Sequence, residues 1–188
     1  MRNYTHFVPS ALLLFFLLPL ALPAQEVDSL AHKRGRERFE ALAWLEGEWQ
    51  GYGKFTERVT YIRKHYSFDV GGIYFVERTL DMFPPVQPTV EFEMHQDLTL
   101  FYRTSPEPTI RAQGFYVEGF VISSSVRVED GGSKLTIVSE KIENAPPGLR
   151  TRYTMTREGP DKFSGLFEMA MPEKDFAVIE RLEMKRIR

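Results

Sequence analysis

From Val59 onward the chain alternates. Val59, Tyr61, Arg63 and His65 fall on one parity, and Thr60, Ile62, Lys64 and Tyr66 on the other, the period of two that sends successive side chains to opposite faces of a strand. Asp69-Val70-Gly71-Gly72 turns this segment into Ile73 to Asp81, rich in Tyr, Phe, Val and Thr. Pro84 to Pro88 marks a loop. Val90, Phe92 and Met94 then alternate with Glu91, Glu93 and His95, and Leu98, Leu100 and Tyr102 lead to the break at Ser105-Pro106-Glu107-Pro108. Phe120, Ile122, Ser124, Val126 and Val128 share a face, and Asp130-Gly131-Gly132 is a hairpin turn into Leu135 to Ile142. After a Pro-rich loop at Asn144 to Gly148, strands are expected around Tyr153 and Met155, at Phe163 to Met171 and at Phe176 to Ile187. This spacing gives about ten short strands, an all-β meander. Closure into an antiparallel up-and-down barrel removes the exposed edges such a meander would otherwise have.

The period differs upstream. Phe39, Leu42, Ala43 and Leu45 lie near one apolar stripe at helical spacing, and Gly47 follows as a stop. A short helix capping one end of the barrel is expected there, with residues 25–38 as a polar arm or its first turns. Residues 1–24 have another character. Arg2 precedes a 12-residue apolar run, Ala11 to Leu22, and Pro23-Ala24 offers a small residue before Gln25. That is the layout of a secretory signal peptide, too short to span a bilayer and interrupted by Pro19. The chain is therefore expected to be exported, periplasmic or secreted, with residues 39–188 as one barrel domain.

Composition narrows the chemistry. Lys plus Arg number 24 against 26 Asp plus Glu, so nothing favours nucleic acid or an anionic membrane as partner. The absence of Cys removes disulfides, thiolate nucleophiles, Cys-rich metal sites and lipid attachment at a cysteine after the leader. Aromatics at 13% of the chain, 15 of them Phe, supply bulk for a barrel interior.

No phosphate loop, nucleophile elbow or metalloprotease helix occurs. Gly51-Tyr52-Gly53 lacks the following helix that dinucleotide binding needs. No catalytic residue and no metal site is assigned: beyond the leader only His32, His65 and His95 are available as imidazoles. Trp49 reads as structural, plugging the narrow end and stacking with an arginine of the last strand, Arg181 or Arg186.

Leu42-Ala43-Trp44-Leu45-Glu46-Gly47-Glu48-Trp49-Gln50-Gly51-Tyr52-Gly53 and Met94-His95-Gln96-Asp97 resemble the corresponding motifs of the nitrobindin-like haem-binding β-barrels. These belong to the calycin group with lipocalins and fatty-acid-binding proteins. The resemblance extends in pattern over most of residues 42–188. It implies a calycin barrel and, in the family, a haem held by a histidine on the last strand. This chain has no His after His95, and the position falls near Ile179 or Glu180, neither of which replaces imidazole. Haem is not expected, although His95 matches the histidine on the other side of the family's haem.

The lumen is then expected to bind a small apolar or amphipathic molecule without catalysis. The polar groups assigned to it are Arg63, His65, Tyr74, Arg78, His95 and Tyr102, with Glu77 beside them. An arginine among them would suit a ligand carboxylate. Glu180 shares parity with Phe176, Val178, Leu182 and Met184. It calls for either a bulge or a buried pair with Arg63 or Arg78. Two alternatives stand beside this reading: a haem-dependent or other enzyme using His95, and an interaction module with a filled lumen, docking through the Pro84–Pro88 region. Oligomeric state is left open, including a dimer through the barrel wall.

Overall fold

The computed structural model describes residues 24–55, 58–85, 93–106 and 108–187, with side chains from Ser29 onward. Residues 1–23, nearly all of the segment expected to be a leader, and positions 86–92, which include Val90 and Phe92, lie outside the described residues.

Ten antiparallel strands form a closed barrel: β1 (Gly47–Phe55), β2 (Arg58–Asp69), β3 (Tyr74–Phe83), β4 (Glu93–Arg103), β5 (Ile110–Phe115), β6 (Val121–Glu129), β7 (Lys134–Glu143), β8 (Arg150–Gly159), β9 (Lys162–Ala170) and β10 (Ala177–Arg186). Each strand pairs with its neighbour in sequence, and β1 closes the ring against β10 from Trp49↔Arg186 to Phe55↔Glu180. A meander whose first strand meets its last leaves no unpaired edge. No helix among the described residues is long and apolar enough to cross a membrane.

Of the two readings of residues 25–38, a polar arm or helical turns, the structure shows the helix, α1 (Ala24–Arg38), and the apolar stripe behind it is a 3-10 helix, Glu40–Leu45. Docking explains why so polar a segment is ordered. Gly35 lies against the Phe68 ring, where a Cβ would come within 2.6 Å, and His32 meets the same ring edge-on at 5.5 Å. Gly72, at φ +78°, brings the β2–β3 turn against the carbonyl of Ala31, an approach only glycine permits. His32 and Arg36 each reach Glu46 at 2.5 Å, and Arg103 of β4 donates to the Arg38 carbonyl at 3.0 Å.

The 3-10 helix drives Phe39, Leu42 and Leu45, all fully buried, into the end of the barrel where β1 begins. There they join Trp49, Tyr66, Phe75, Phe101, Met155, Phe163 and Met184 in one apolar cluster. Trp49 is fully buried and donates to the Leu45 carbonyl at 2.6 Å. The Arg186 guanidinium lies 4.2 Å over its ring and donates to the carbonyls of Trp44 at 2.6 Å and of Glu46, and to Asp161 at 3.0 Å. Arg181, the other arginine considered for this position, is exposed. This half of the barrel is solid.

Candidate functional site

The other half is hollow. A cavity of about 400 Å3 occupies the end where β1, β3, β5, β7 and β9 finish, with walls that include Ile62, Phe83, Ile122, Ile137, Phe167 and Leu182. The space exists because inward positions at that level carry little: Ala112, Gly114 and Ser124 of β5 and β6 all line it. Inward glycines also let polar side chains lie flat on the wall. A Cβ at Gly53 would collide with the Glu180 carboxylate, one at Gly114 would come within 2.8 Å of the Tyr116 hydroxyl, and one at Gly165 within 2.6 Å of the Tyr153 hydroxyl.

The floor is an ion pair. On β2 the inward parity is Thr60, Ile62, Lys64 and Tyr66; its register places Lys64 opposite Thr79 and Tyr66 opposite Glu77. Lys64 Nζ donates to Glu77 Oε1 at 2.5 Å and to Thr79 Oγ1 at 3.0 Å, and Thr79 Oγ1 donates to Glu77 at 2.8 Å. Burial works against the ammonium, but the Glu77 carboxylate, helped by Tyr66, Tyr153 and Asp81, outweighs it and holds Lys64 well above the usual lysine range. Lys64 is therefore a fixed cation already satisfied by protein, not an amine poised for covalent chemistry.

Above this floor stand three carboxyl groups with no basic side chain within 4.0 Å among the described residues: Asp81, Asp97 and Glu180. Asp81 faces Ile62 and His95 across its strand pairs, and Asp97 faces Thr79. Burial raises Asp81, and raises Asp97 to about 6 against a hydrogen bond from the Val117 N–H at 3.1 Å. Glu180 is pushed up to about 7, first by burial and then by the field of Asp81. Its inward position follows a break in the β9–β10 register between Val178 and Glu180, which leaves Val178 exposed. Asp81 Oδ1 and Glu180 Oε1 are buried without a hydrogen-bond partner. Burial likewise raises the phenols of Tyr116, to about 12, and of Tyr153.

The mouth carries a second polar network. Arg58 donates to Glu93 at 3.0 Å and stacks 4.9 Å over Phe83. His95 lies between Glu93, 3.0 Å from Nε2, and Glu118, 2.9 Å from Nδ1. No group of three or more acidic or imidazole side chains among the described residues is arranged to hold a metal ion.

Of the residues assigned to the lumen from sequence, His95 lines this cavity, as does Glu77. Arg63, His65 and Arg78 point outward. They come together in a shallow outer groove over β2–β4, where Arg63 lies 3.7 Å from Glu48 and Arg78 3.5 Å from Asp69. The Glu180 pair proposed with Arg63 or Arg78 is therefore not formed. Tyr74 and Tyr102 are half-buried and belong to neither the cavity nor the groove. Lys64, Asp81, Asp97, Tyr116 and Tyr153 were not singled out. Their signal was parity: Lys64 alternates in step with the apolar Ile62 and Tyr66, which marks the inward face.

The donor set does not fit a haem. Both ring nitrogens of His95 are engaged by carboxylates. Of Ile179 and Glu180, near which the resemblance would put a histidine, Glu180 lines the cavity and offers no imidazole.

Comparison with known proteins supports the architecture alone. No family model matches the chain and no curated protein matches it. Fifteen chains of known structure do. Among them is the crystal structure of Rv2717c from M. tuberculosis, with a TM-score of 0.59 and 14% identity over 80% of this chain and 98% of that one. At that identity the likeness is one of fold.

Proposed function

We propose that this chain is an exported, calycin-like binding barrel that holds a small apolar or amphipathic molecule in its lumen and does no chemistry on it. The carrying observation is the cavity of about 400 Å3. It is a closed-ended chamber with apolar walls and a few convergent polar groups, the usual make-up of a small-molecule site. The solid half beneath it, stapled by Arg186 and Trp49, gives the chamber a rigid base. The resemblance of the motifs around Trp49 and His95 to those of the nitrobindin-like barrels supports this reading, with the family's haem ligation left out of it.

Titration with the neutral fluorophore N-phenyl-1-naphthylamine tests this reading. Saturable one-to-one binding is expected, and Ser124→Phe, which puts a ring into the chamber, is expected to abolish it without loss of the folded state. Equal binding by the variant would place the probe elsewhere and defeat the proposal.

A further inference from the structure

The cavity contains more acid than it can neutralise. Lys64 is held by Glu77 and Thr79, and Arg58 at the mouth by Glu93. Asp81, Asp97 and Glu180 are left facing the same space without a basic partner within 4.0 Å among the described residues. The shortfall is not confined to the carboxylates. The hydroxyl of the half-buried Tyr153, on the same wall, also lacks a hydrogen-bond partner, as does Asp81 Oδ1, and Glu180 Oε1 has no well-formed bond, with only the unpaired Thr60 hydroxyl close to its carboxyl. Buried polar atoms in a folded protein are normally satisfied, so several orphans around one chamber point to a missing donor.

Resting on the reading of the lumen as a ligand site, we propose that its ligand is a cation: an ammonium on an apolar body, its N–H groups donated to Asp81 and Glu180. The body would lie along Phe83, Ile122 and Phe167, which line the same cavity, and aromatic faces favour an ammonium as well as a hydrocarbon. A fatty carboxylate is the wrong sign. It would enter beside three under-neutralised carboxyl groups, and the Lys64 ammonium is already bound at 2.5 Å.

A cation is also what would draw these acids into their charged form. The charged groups facing Glu180 are Asp81 and Lys64; those facing Asp81 are Lys64, Glu77, His95 and Glu118. With Glu180 near 7, and Asp97, which faces Asp81, Glu118 and Lys64, near 6, seating an ammonium expels protons, and affinity rises with pH until the acids are ionised.

Calorimetric titration of the leaderless chain with decylamine, decanol and decanoate tests the proposal, because the three share a ten-carbon skeleton and carry a cationic, a neutral and an anionic head group. Decylamine is expected to bind at least about tenfold more tightly than either other ligand at pH 7.5. Its affinity should fall toward pH 5 while that of decanol stays level, and D81N/E180Q should remove the preference. Decanoate binding as tightly as the amine, or amine affinity that is level from pH 5 to 8, overturns the charge assignment and leaves the binding barrel standing. Binding by none of the three overturns both. Should the double variant fail to fold, the pH series on the unmodified protein decides alone.

Discussion

At the residue scale, Lys64 is the clearest case of a group whose surroundings fix its state. Its side chain is 8% exposed and its ammonium has Glu77 and Thr79 within 3.0 Å. Breaking a buried pair by deleting one partner strands the other charge, so Lys64→Met should destabilise the barrel by about 3–5 kcal/mol in urea unfolding. K64M/E77L should recover most of that, since an apolar pair leaves no orphan. Glu180 gives a prediction in pH. Its carboxyl is raised from 4.5 to about 7, so the folded state keeps a proton that the unfolded chain has released. The stability this supplies is complete below 4.5 and is lost as pH rises through about 7. Glu180→Gln should therefore flatten the fall in stability between pH 5 and 8; an unchanged slope would show that Glu180 ionises freely. That Lys64 faces inward was readable from its parity with Ile62 and Tyr66. That Arg63, His65 and Arg78 face outward followed from the same alternation, but their ligand-like chemistry pointed the other way.

At the scale of elements, closure of β1 on β10 depends on two devices. Arg186 is a five-donor fork, joining the last strand to the carbonyls of Trp44 and Glu46 while lying on Trp49. An ammonium cannot reproduce that geometry. Arg186→Lys is expected to cost about 1–3 kcal/mol in urea unfolding, whereas Arg181→Lys, on an exposed arginine of the same strand, should stay within about 0.5 kcal/mol. Gly53 is the second device, its bare Cα accepting the Glu180 carboxylate. Gly53→Ala should destabilise by about 1–3 kcal/mol through overpacking, and Glu180→Ala in the same chain should relieve it. A penalty that persists in the double variant would locate the strain in the backbone instead. Most strands and their turns were legible because alternation and the Gly-Gly turns are local signals; the short β5, with Ala112 and Gly114 at inward positions, carries no apolar alternation and was not. For α1 the sequence allowed both a polar arm and helical turns, because it is polar and its order comes from Gly35, His32 and Arg36 docking on Phe68 and Glu46. Tertiary contact, not propensity, decides such a segment.

At the scale of the whole molecule, the barrel is divided. One end is packed by Phe39, Leu42, Leu45 and Trp49, and the other is a chamber walled by strands that carry Ala112, Gly114 and Ser124 where bulk would fill it. A filled lumen and an open one were alternatives at the level of sequence; the fold uses each in one half. Sequence could not show this because strand stagger decides which inward residues share a level, and stagger depends on the bulges at Ser123/Ser124 and Val178/Glu180. Export is a separate proposal, and the amino terminus of the native protein tests it: a start near Gln25 is expected, and a chain that retains Met1 would refute it. Above all, the chamber is expected to hold a small molecule. Native mass spectrometry of the protein purified from its own compartment tests that most directly. An adduct of small mass, basic in character, is expected, lost on denaturation and absent from the Ser124→Phe variant. A clean apo mass, with nothing taken up on incubation with cell extract, would contradict it.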